Sequence, residues 1–153
     1  MTTHPLTIQV QISRLPGNDD VPLPAYQSPE AAGMDLHAAV EGETTLEAGA
    51  VVVLPCGIQI ALPAYHEAQI RPRSGLAAKH GISIPNAPGT IDADYRGEIR
   101  VPLINHGKHP FAVTRGMRIA QMLVKPVPRV TWEEVDCLSE TQRGAGGFGH
   151  TGQ

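Results

Sequence analysis

A chain of 153 residues suits one domain with a modest core, because a protein of this size buries only about two-thirds of the surface that its unfolded chain exposes. The net charge of -3 argues against a protein that wraps nucleic acid, since such binding needs a clustered excess of Lys and Arg. Small anions need only a few well-placed donors. With 16 Gly, 14 Pro and only 4% aromatic residues, the composition predicts many turns and few helices.

The cysteines and the lack of long apolar runs indicate in which cellular compartment the protein is expected. Cys56 and Cys137 lie far apart and match no metal-binding spacing, so the sequence predicts neither a disulfide framework nor a zinc site. No basic region followed by an apolar core opens the chain, and no apolar run approaches the roughly 20 residues that span a bilayer. We therefore expect a soluble, unprocessed, cytoplasmic protein with no membrane or nucleic-acid partner.

The hydrophobic pattern is that of short β-strands. Leu6–Ile12 alternates apolar and polar residues, which is typical of a half-buried strand. Segments of the same kind follow at Val51–Leu54, Gly57–Ala61, Ala68–Arg71, Glu98–Ile104, Phe111–Val113, Ile119–Val124 and Val130–Val135. The only helix that we expect is a turn or two near Ser74–Lys79. The pattern predicts an all-β, jelly-roll-like domain over residues 1–138.

Two segments carry no strand pattern and are expected to be unpaired. The first is the proline-rich stretch Pro16–Pro29. The second, residues 139–153, has five glycines in the last eleven positions of the chain, and glycine loses more backbone entropy on ordering than any other residue. We expect this second segment to be a mobile C-terminal arm unless a partner orders it.

A first candidate binding motif is the stretch RPRSGLAAKHG. It places Arg73, Ser74 and Gly75 at the start of the expected helix. Free N–H groups, a hydroxyl and a glycine that permits close approach would together suit an anion. An ordinary N-capping Ser74 beside solvated arginines fits the same spacing equally well.

A second candidate motif is NAPGTIDADYRGEI. Asn86 offers a donor and an acceptor on one amide edge, which is what recognition of a base requires. A fixed carboxylate, Asp92 or Asp94, can deprotonate water or bind magnesium. For at least one of the two, composition alone favours a hairpin-turn residue that caps its own backbone.

Three further motifs are weaker when each is taken alone. Asp35 within AGMDLHA is most simply a solvated residue on the alternate face of a strand. Arg118 and Gln121 within RIAQMLV would lie on opposite faces, as ordinary polar positions. In RGAGGFGHTG, Arg143 and Phe148 could bind a phosphate and a planar base, or the segment is a disordered terminus. The seven histidines show no metal-ligand spacing, and none is assigned to a metal.

In this order, AGMDLHA, PRSGLA, GTIDADYRGEI, RIAQ and RGAGGFGHTG closely resemble the five motifs of the trimeric dUTPases, over residues 31–152. The resemblance implies a homotrimer of jelly-roll-like (β-clip) subunits, with active sites at the subunit interfaces and a flexible arm that closes over them. It implies hydrolysis of dUTP to dUMP and pyrophosphate by water attack on the α-phosphorus, with Mg2+ bound mainly through the substrate triphosphate. Such an activity limits uracil incorporation into DNA and supplies dUMP for thymidylate synthesis.

The same resemblance implies a role for each matched residue. Asp92 would activate the attacking water, and Tyr95 would press on the deoxyribose and exclude a 2′-hydroxyl. Asp35 would act on the metal indirectly, through water. The residues implied in substrate binding are Arg73, Ser74, Gly75 and Gln121 at the phosphates, Asn86, Thr90, Ile91, Asp92 and Arg100 at the uracil, Tyr95 at the sugar, Arg143 at the γ-phosphate and Phe148 over the base.

Small departures from the family pattern leave the expected activity intact. Met117 stands where many relatives carry an acidic residue, and His150 stands where His or Ser is common. One alternative is a dCTP deaminase, which shares the architecture but differs at TIDADYRGEI and lacks the glycine-rich tail. The other is a non-catalytic nucleotide sensor, against which the retained Asp92 argues.

Overall fold

The computed structural model describes residues 7–149, which contain twelve short strands and one helix. The strands are β1 (Gln11–Arg14), β2 (Ala25–Tyr26), β3 (Met34–His37), β4 (Thr44–Leu46), β5 (Val51–Pro55), β6 (Ile58–Ala61), β7 (His66–Arg71), β8 (Ile82–Ser83), β9 (Gly89–Ile91), β10 (Arg100–Asn105), β11 (Phe111–Val113) and β12 (Arg118–Pro126). The helix is α1 (Ser74–His80). Across the described range, no helix has the length and apolar character needed to cross a membrane.

The strands pair in antiparallel sheets around one aliphatic core. The largest sheet has the order β2-β3-β12-β7-β9, and a second has the order β5-β10-β8. Two strand pairs, β1 with β6 and β4 with β11, complete the fold. Alternate residues of β7 and β10 point into the core, among them Ile70 and Leu103. Burial in these strands therefore follows the alternation of side chains between the two faces of a sheet. The predicted all-β, jelly-roll-like fold and its single short helix are confirmed.

Two of the predicted strands are misplaced. The first strand begins at Gln11 rather than near residue 6, and Leu6 itself lies outside the described residues. Its ladder with β6 stops at Ala61, two residues before Pro63, which has no N–H to donate. The strand predicted at Val130–Val135 is wrong, because no strand within residues 7–149 pairs with this segment and its apolar side chains are exposed.

The proline-rich stretch was expected to be unpaired, and this prediction is wrong in part. Its residues Ala25 and Tyr26 pair with β3. Arg115 binds the Asp20 carboxylate through two bonds of 2.8 and 2.7 Å and also donates to the carbonyl oxygen of Gly17 at 2.8 Å. The Arg115 guanidinium thus holds the irregular segment around Gly17 and Asp20 against the rest of the fold. A contact between residues so far apart in the chain could not be predicted from local sequence pattern.

The position of α1 is fixed at its C-terminal end by two glycines. Gly81 ends the helix in the left-handed region (φ 69°) and caps it with its own N–H. A Cβ on Gly81 would lie 2.7 Å from the backbone nitrogen of Gly107, so the helix end abuts the loop after β10 directly. Buried Asn105 holds this loop in place by accepting from the Gly107 N–H at 2.8 Å.

Candidate active site

One row of polar side chains crosses the outer face of the five-stranded sheet. Asp35 on β3, Gln121 on β12 and Arg71 on β7 lie directly opposite one another, and residues that face each other across strands share a face. A β-bulge between Arg118 and Ala120 shifts the register of β12, so that Arg118 pairs with His37. Arg118 and Gln121 were predicted on opposite faces of β12. This prediction is wrong, because the extra residue of the bulge puts both side chains on the same face.

Asp35 is nearly buried, with 9% of its surface exposed, so the prediction of a solvated residue is wrong. Its Oδ1 accepts from Arg73 Nε at 3.0 Å, and its Oδ2 faces Arg118 Nη1 at 3.4 Å. Burial of a carboxylate is tolerated because these guanidiniums compensate its charge. Two guanidiniums share one carboxylate, which leaves a formal charge of +1 on this part of the surface.

His37 lies beside this cluster. Burial lowers the pKa of His37; nearby Asp35 opposes this effect, while Arg118 and Arg73 add to it. Its ring is therefore neutral at pH 7, and its Nδ1 is buried without a hydrogen-bond partner within residues 7–149. The positive charge around Asp35 therefore comes from Arg73 and Arg118 alone.

Gln121 connects β12 to the chain just before Arg73. Its Nε2 donates to the carbonyl oxygen of Pro72 at 2.9 Å. A Cβ on Gly33 would lie 2.6 Å from Gln121 Oε1, so only glycine at that position leaves room for the amide as it stands. The side chain therefore holds the backbone that carries Arg73 and is more than an ordinary polar position.

The start of α1 does not match the alternative in which Ser74 is the N-cap residue. Arg73 is the N-cap residue, without a side-chain cap, and Ser74 is the first helical residue. Ser74 and Gly75 are exposed beside Arg73, and there is open space where a Cβ on Gly75 would be. These residues join Asp35, Arg118 and Gln121 in one surface, here called the Asp35 cluster (Asp35, Arg73, Ser74, Gly75, Arg118 and Gln121).

The segment from Asn86 to Arg100 carries a second set of candidate residues, and its first turn lines a pocket with Arg71 and Gln121. Asn86 lies exposed in the turn before β9, whose Thr90 is exposed opposite Gln69 of β7. Because β9 and β10 belong to different sheets, the segment is not a hairpin. Within residues 7–149, the carboxylates of Asp92 and Asp94 form no hydrogen bond or ion pair, so neither caps its own backbone.

Tyr95 and Arg100 complete this second surface. Tyr95 Oη donates to the carbonyl oxygen of Glu98 at 2.9 Å, and its ring remains 42% exposed. Arg100 begins β10 with an exposed side chain 3.7 Å from the carboxylate of Glu98. We call Asn86, Thr90, Ile91, Asp92, Tyr95 and Arg100 the Asp92 surface.

The carboxylates of Asp92 and Asp35 lie far apart in one subunit. Asp92 follows β9 at the end of the sheet where β7 begins, whereas Asp35 shares a row with Arg71, where β7 ends. At about 3.3 Å per residue and about 4.8 Å per strand, their separation is on the order of 20 Å. Each opens onto a cleft of its own, of about 630 Å³ at Asp92 and about 580 Å³ at Arg73 and Arg118.

The family model for dUTPase matches residues 19–152 of the chain. The chain belongs to the dUTPase family. It is 58% identical over 148 residues to the deoxyuridine 5′-triphosphate nucleotidohydrolase of Maricaulis maris, with 95% of this chain and 97% of that protein covered. It is also 58% identical over 144 residues to the protein of the same name from Rickettsia massiliae, with 94% and 97% covered.

Solved dUTPase structures share the fold of this chain. The dUTPase of Staphylococcus bacteriophage 80alpha with dUPNHPP superposes with a TM-score of 0.86 at 22% identity, covering 96% of this chain and 100% of that one. A variant of the dUTPase from phage phi11 of S. aureus, described with a structural Mg(II) ion, superposes with a TM-score of 0.76 at 18% identity, covering 86% and 99%. At these identities the likeness shows the fold.

Over the residues that the structure describes, the hydrogen bonds formed by residues 141–149 join residues of this tail to one another. Arg143 Nε donates to the carbonyl oxygen of Gly146 at 2.8 Å, and the Gly144 N–H donates to Thr141. Phe148 is fully exposed. Neither Arg143 nor Phe148 reaches the Asp35 cluster or the Asp92 surface in this subunit, and His150 lies outside the described residues.

Sequence reasoning missed three residues that shape the dUTPase site. Arg118 joins Asp35, Gly33 makes room for Gln121, and Gly97 makes room for Tyr95. A glycine beside a candidate motif was the one available signal for the last two, since glycine permits close approach. The signal for Arg118 was hidden by the bulge, which a period-two pattern does not reveal.

Proposed function

We propose that this protein hydrolyses dUTP to dUMP and pyrophosphate, as the family and the names of both bacterial relatives indicate. The structural observation that carries the proposal is the uncompensated positive charge of the Asp35 cluster, beside the exposed Ser74 and Gly75. Such a surface suits the phosphates of a nucleotide. The reaction removes dUTP from the pool available to DNA synthesis and supplies dUMP.

The site is assembled from more than one subunit of a homotrimer. The supporting observation is the separation of about 20 Å between Asp92 and Asp35, which is too long for both to meet one triphosphate in a single chain. In a cyclic trimer, the same two surfaces of adjacent subunits meet three times. The exposed apolar segment around Val130 and Trp132 is also left without cover in the single chain.

Asp92 is the general base. Its exposed carboxylate has no partner within the described residues, so it is free to accept a proton from the attacking water. The water oxygen forms a bond to the α-phosphorus as the bond from that phosphorus to the bridging oxygen of the leaving pyrophosphate breaks. Arg73, Ser74 and Gly75 hold the phosphates, and Gln121 supports them through the Pro72 carbonyl.

The Asp92 surface recognises the nucleoside. The Asn86 amide and the neighbouring strand backbone at Thr90, Ile91 and Arg100 bind uracil through its polar edge. Tyr95 lies against the deoxyribose and leaves no room for a 2′-hydroxyl. The C-terminal arm then closes, with Arg143 at the γ-phosphate and Phe148 over the base, which excludes water and completes the phosphate contacts.

Magnesium fits this site as an ion carried by the substrate. Within residues 7–149, no group of three or more His, Cys, Asp or Glu side chains is placed to hold a metal, and both oxygens of Asp35 face guanidiniums. Asp35 would therefore act on the ion only through water. When bound, the ion neutralises charge on the phosphate oxygens.

The test is to assay the purified protein with dUTP, dCTP and UTP, and to follow pyrophosphate and ammonia release separately. We expect pyrophosphate from dUTP and no ammonia from dCTP. Ammonia release from dCTP would favour the deaminase alternative, and no turnover of any of the three would favour a nucleotide sensor. We also expect the protein to act in the cytoplasm.

A further inference from the structure

Tyr95 rests on a narrow shelf of backbone, here called the Tyr95 shelf (Gly97, Glu98 and Ile99). An ideal Cβ on Gly97 would lie 2.4 Å from Tyr95 Oη, 2.6 Å from Cζ and 3.0 Å from Cε2. The ring therefore occupies the space that a side chain at position 97 would take. Its hydroxyl donates to the next carbonyl oxygen, that of Glu98, at 2.9 Å.

The shelf is fixed to the protein core. Ile99 is fully buried; its N–H donates to the carbonyl oxygen of Ile58 at 2.9 Å, and its carbonyl oxygen accepts from Cys56 N–H at 3.0 Å. The Glu98 carboxylate accepts from the N–H of Gly57 at 3.0 Å. Two bonds to the turn between β5 and β6 and one to Ile58 at the start of β6 thus hold the backbone on which the ring lies. A ring supported by a fixed surface can enforce a steric limit.

We propose that Gly97 is a positioning residue for sugar selectivity: by lacking a Cβ, it sets the position of the Tyr95 ring that excludes the 2′-hydroxyl of UTP. This inference rests on the proposed dUTP hydrolysis. An ordinary contact begins near 3.4 Å, so a methyl group at position 97 would displace the ring by about 1 Å and would strain its bond to Glu98.

The displacement falls on the ring rather than on the backbone. Gly97 does not adopt the left-handed conformation that would strain alanine, and the atoms that its Cβ would meet belong to the far end of a partly exposed side chain. Gly97→Ala is therefore expected to fold and to move Tyr95. Gly42→Ala is a matched control, because a Cβ on Gly42 would meet nothing within 4 Å.

The experiment compares kcat/KM for dUTP and for UTP in the wild type and in the Gly97→Ala, Gly42→Ala and Tyr95→Ala variants. We expect Gly97→Ala to narrow the dUTP preference by about tenfold or more, since a misplacement of about 1 Å at a site can cost as much as 100-fold. Gly42→Ala should keep the wild-type ratio. If the folded Gly97→Ala variant has the wild-type ratio of kcat/KM for dUTP to kcat/KM for UTP, the proposal is overturned.

A double variant separates positioning from any other effect of the substitution. In a Tyr95→Ala background the ring is absent, so adding Gly97→Ala should not change the ratio of kcat/KM for dUTP to kcat/KM for UTP any further. A further decrease in this ratio would contradict the inference. Tyr95→Phe keeps the ring but removes its bond to Glu98, and should narrow the ratio less than Gly97→Ala does. An unchanged ratio in Tyr95→Phe would show that this bond does not position the ring.

The two proposals fail in different ways. Absence of pyrophosphate release from dUTP by the wild type would remove the proposed function itself. If the wild type hydrolyses dUTP and Tyr95→Ala narrows the preference while Gly97→Ala does not, only the inference about Gly97 fails. Thermal melting and oligomer mass of each variant show whether a change in ratio accompanies a change in folding.

Discussion

Gln121 donates through Nε2 to the carbonyl oxygen of Pro72 at 2.9 Å, which ties β12 to the backbone one residue before Arg73. We expect Gln121→Ala to lower kcat/KM for dUTP by about 10- to 100-fold, because the phosphate-binding backbone loses its support. The free energy of unfolding should fall by only about 1 kcal/mol, the usual contribution of one such bond. Steady-state kinetics and urea titrations measure both quantities.

Gly33→Ala provides a second test of the same contact. Its Cβ would lie 2.6 Å from Gln121 Oε1 and would displace the amide while leaving every other polar group in place. Activity should fall in the same direction as in Gln121→Ala, and Gly42→Ala should retain it. Full activity in folded Gly33→Ala would show that the position of the Gln121 amide is not needed.

The proposed role of Asp92 as a base leads to a sharp contrast with its neighbour Asp94. Asp92→Asn keeps the shape of the side chain but cannot accept the proton of water at neutral pH, so the rate of pyrophosphate release should drop by about 100-fold or more. Binding of a non-hydrolysable dUTP analogue should persist. Asp94→Asn is the matched control, since its carboxylate is also exposed in the same turn. Equal losses in the two variants would contradict the assignment.

These residues also show how far sequence alone could go. The alternation around Ile70 and Leu103 and the helix start at Ser74 were predictable because they depend on local pattern. The burial of Asp35 was not, since it depends on Arg73 and Arg118, which lie 38 and 83 residues away in the chain.

The errors have physical causes of the same kind. Arg118 and Gln121 were placed on opposite faces because a bulge in β12, which period two does not reveal, was missed. Val130–Val135 has the alternation of a strand, but a strand also needs a partner, and the described part of the subunit provides none. The roles of Asp92 and Tyr95 came from the family motifs, because composition and spacing left their plainer interpretations open.

The ion pair between Asp20 and Arg115 predicts a specific acid sensitivity. The bonds from Arg115 lower the pKa of Asp20 from 3.8 to about 2. A carboxylate with a lowered pKa stabilises the fold above its unfolded pKa. This stabilisation is lost as the pH falls through the folded pKa, below which both states are protonated. The free energy of unfolding should therefore decrease between about pH 4 and pH 2 more steeply in the wild type than in Asp20→Asn.

Urea titrations over this pH range measure the difference. Asp19→Asn is a suitable control, because Asp19 forms no ion pair within the part of the chain that the structure describes. Its pH dependence should follow that of the wild type. Parallel curves for the wild type and Asp20→Asn would show that the ion pair does not stabilise the native state in solution.

The C-terminal arm should matter for turnover more than for assembly. Its described hydrogen bonds are internal to the arm, so truncation before Arg143 removes none of the described hydrogen bonds to the sheets. We expect the truncated protein to keep the mass of the proposed trimer and its melting temperature while kcat for dUTP falls, because in the proposed mechanism the closed arm completes the phosphate contacts. Loss of the trimer on truncation would mean that the arm is structural instead.

Mixing two inactive variants tests whether Asp92 and Arg73 of one site come from different subunits. Neither Asp92→Asn nor Arg73→Gln trimers should hydrolyse dUTP efficiently. Each mixed cyclic trimer contains one interface at which an intact Asp92 meets an intact Arg73, so an equal, random mixture should recover about one quarter of wild-type activity. Co-expression with two affinity tags allows mixed trimers to be purified and assayed. If both residues of a site belonged to one chain, every site would carry one of the two defects and mixing would restore nothing. The strand register, which separates Asp92 from Asp35 by on the order of 20 Å within the subunit, argues against that outcome.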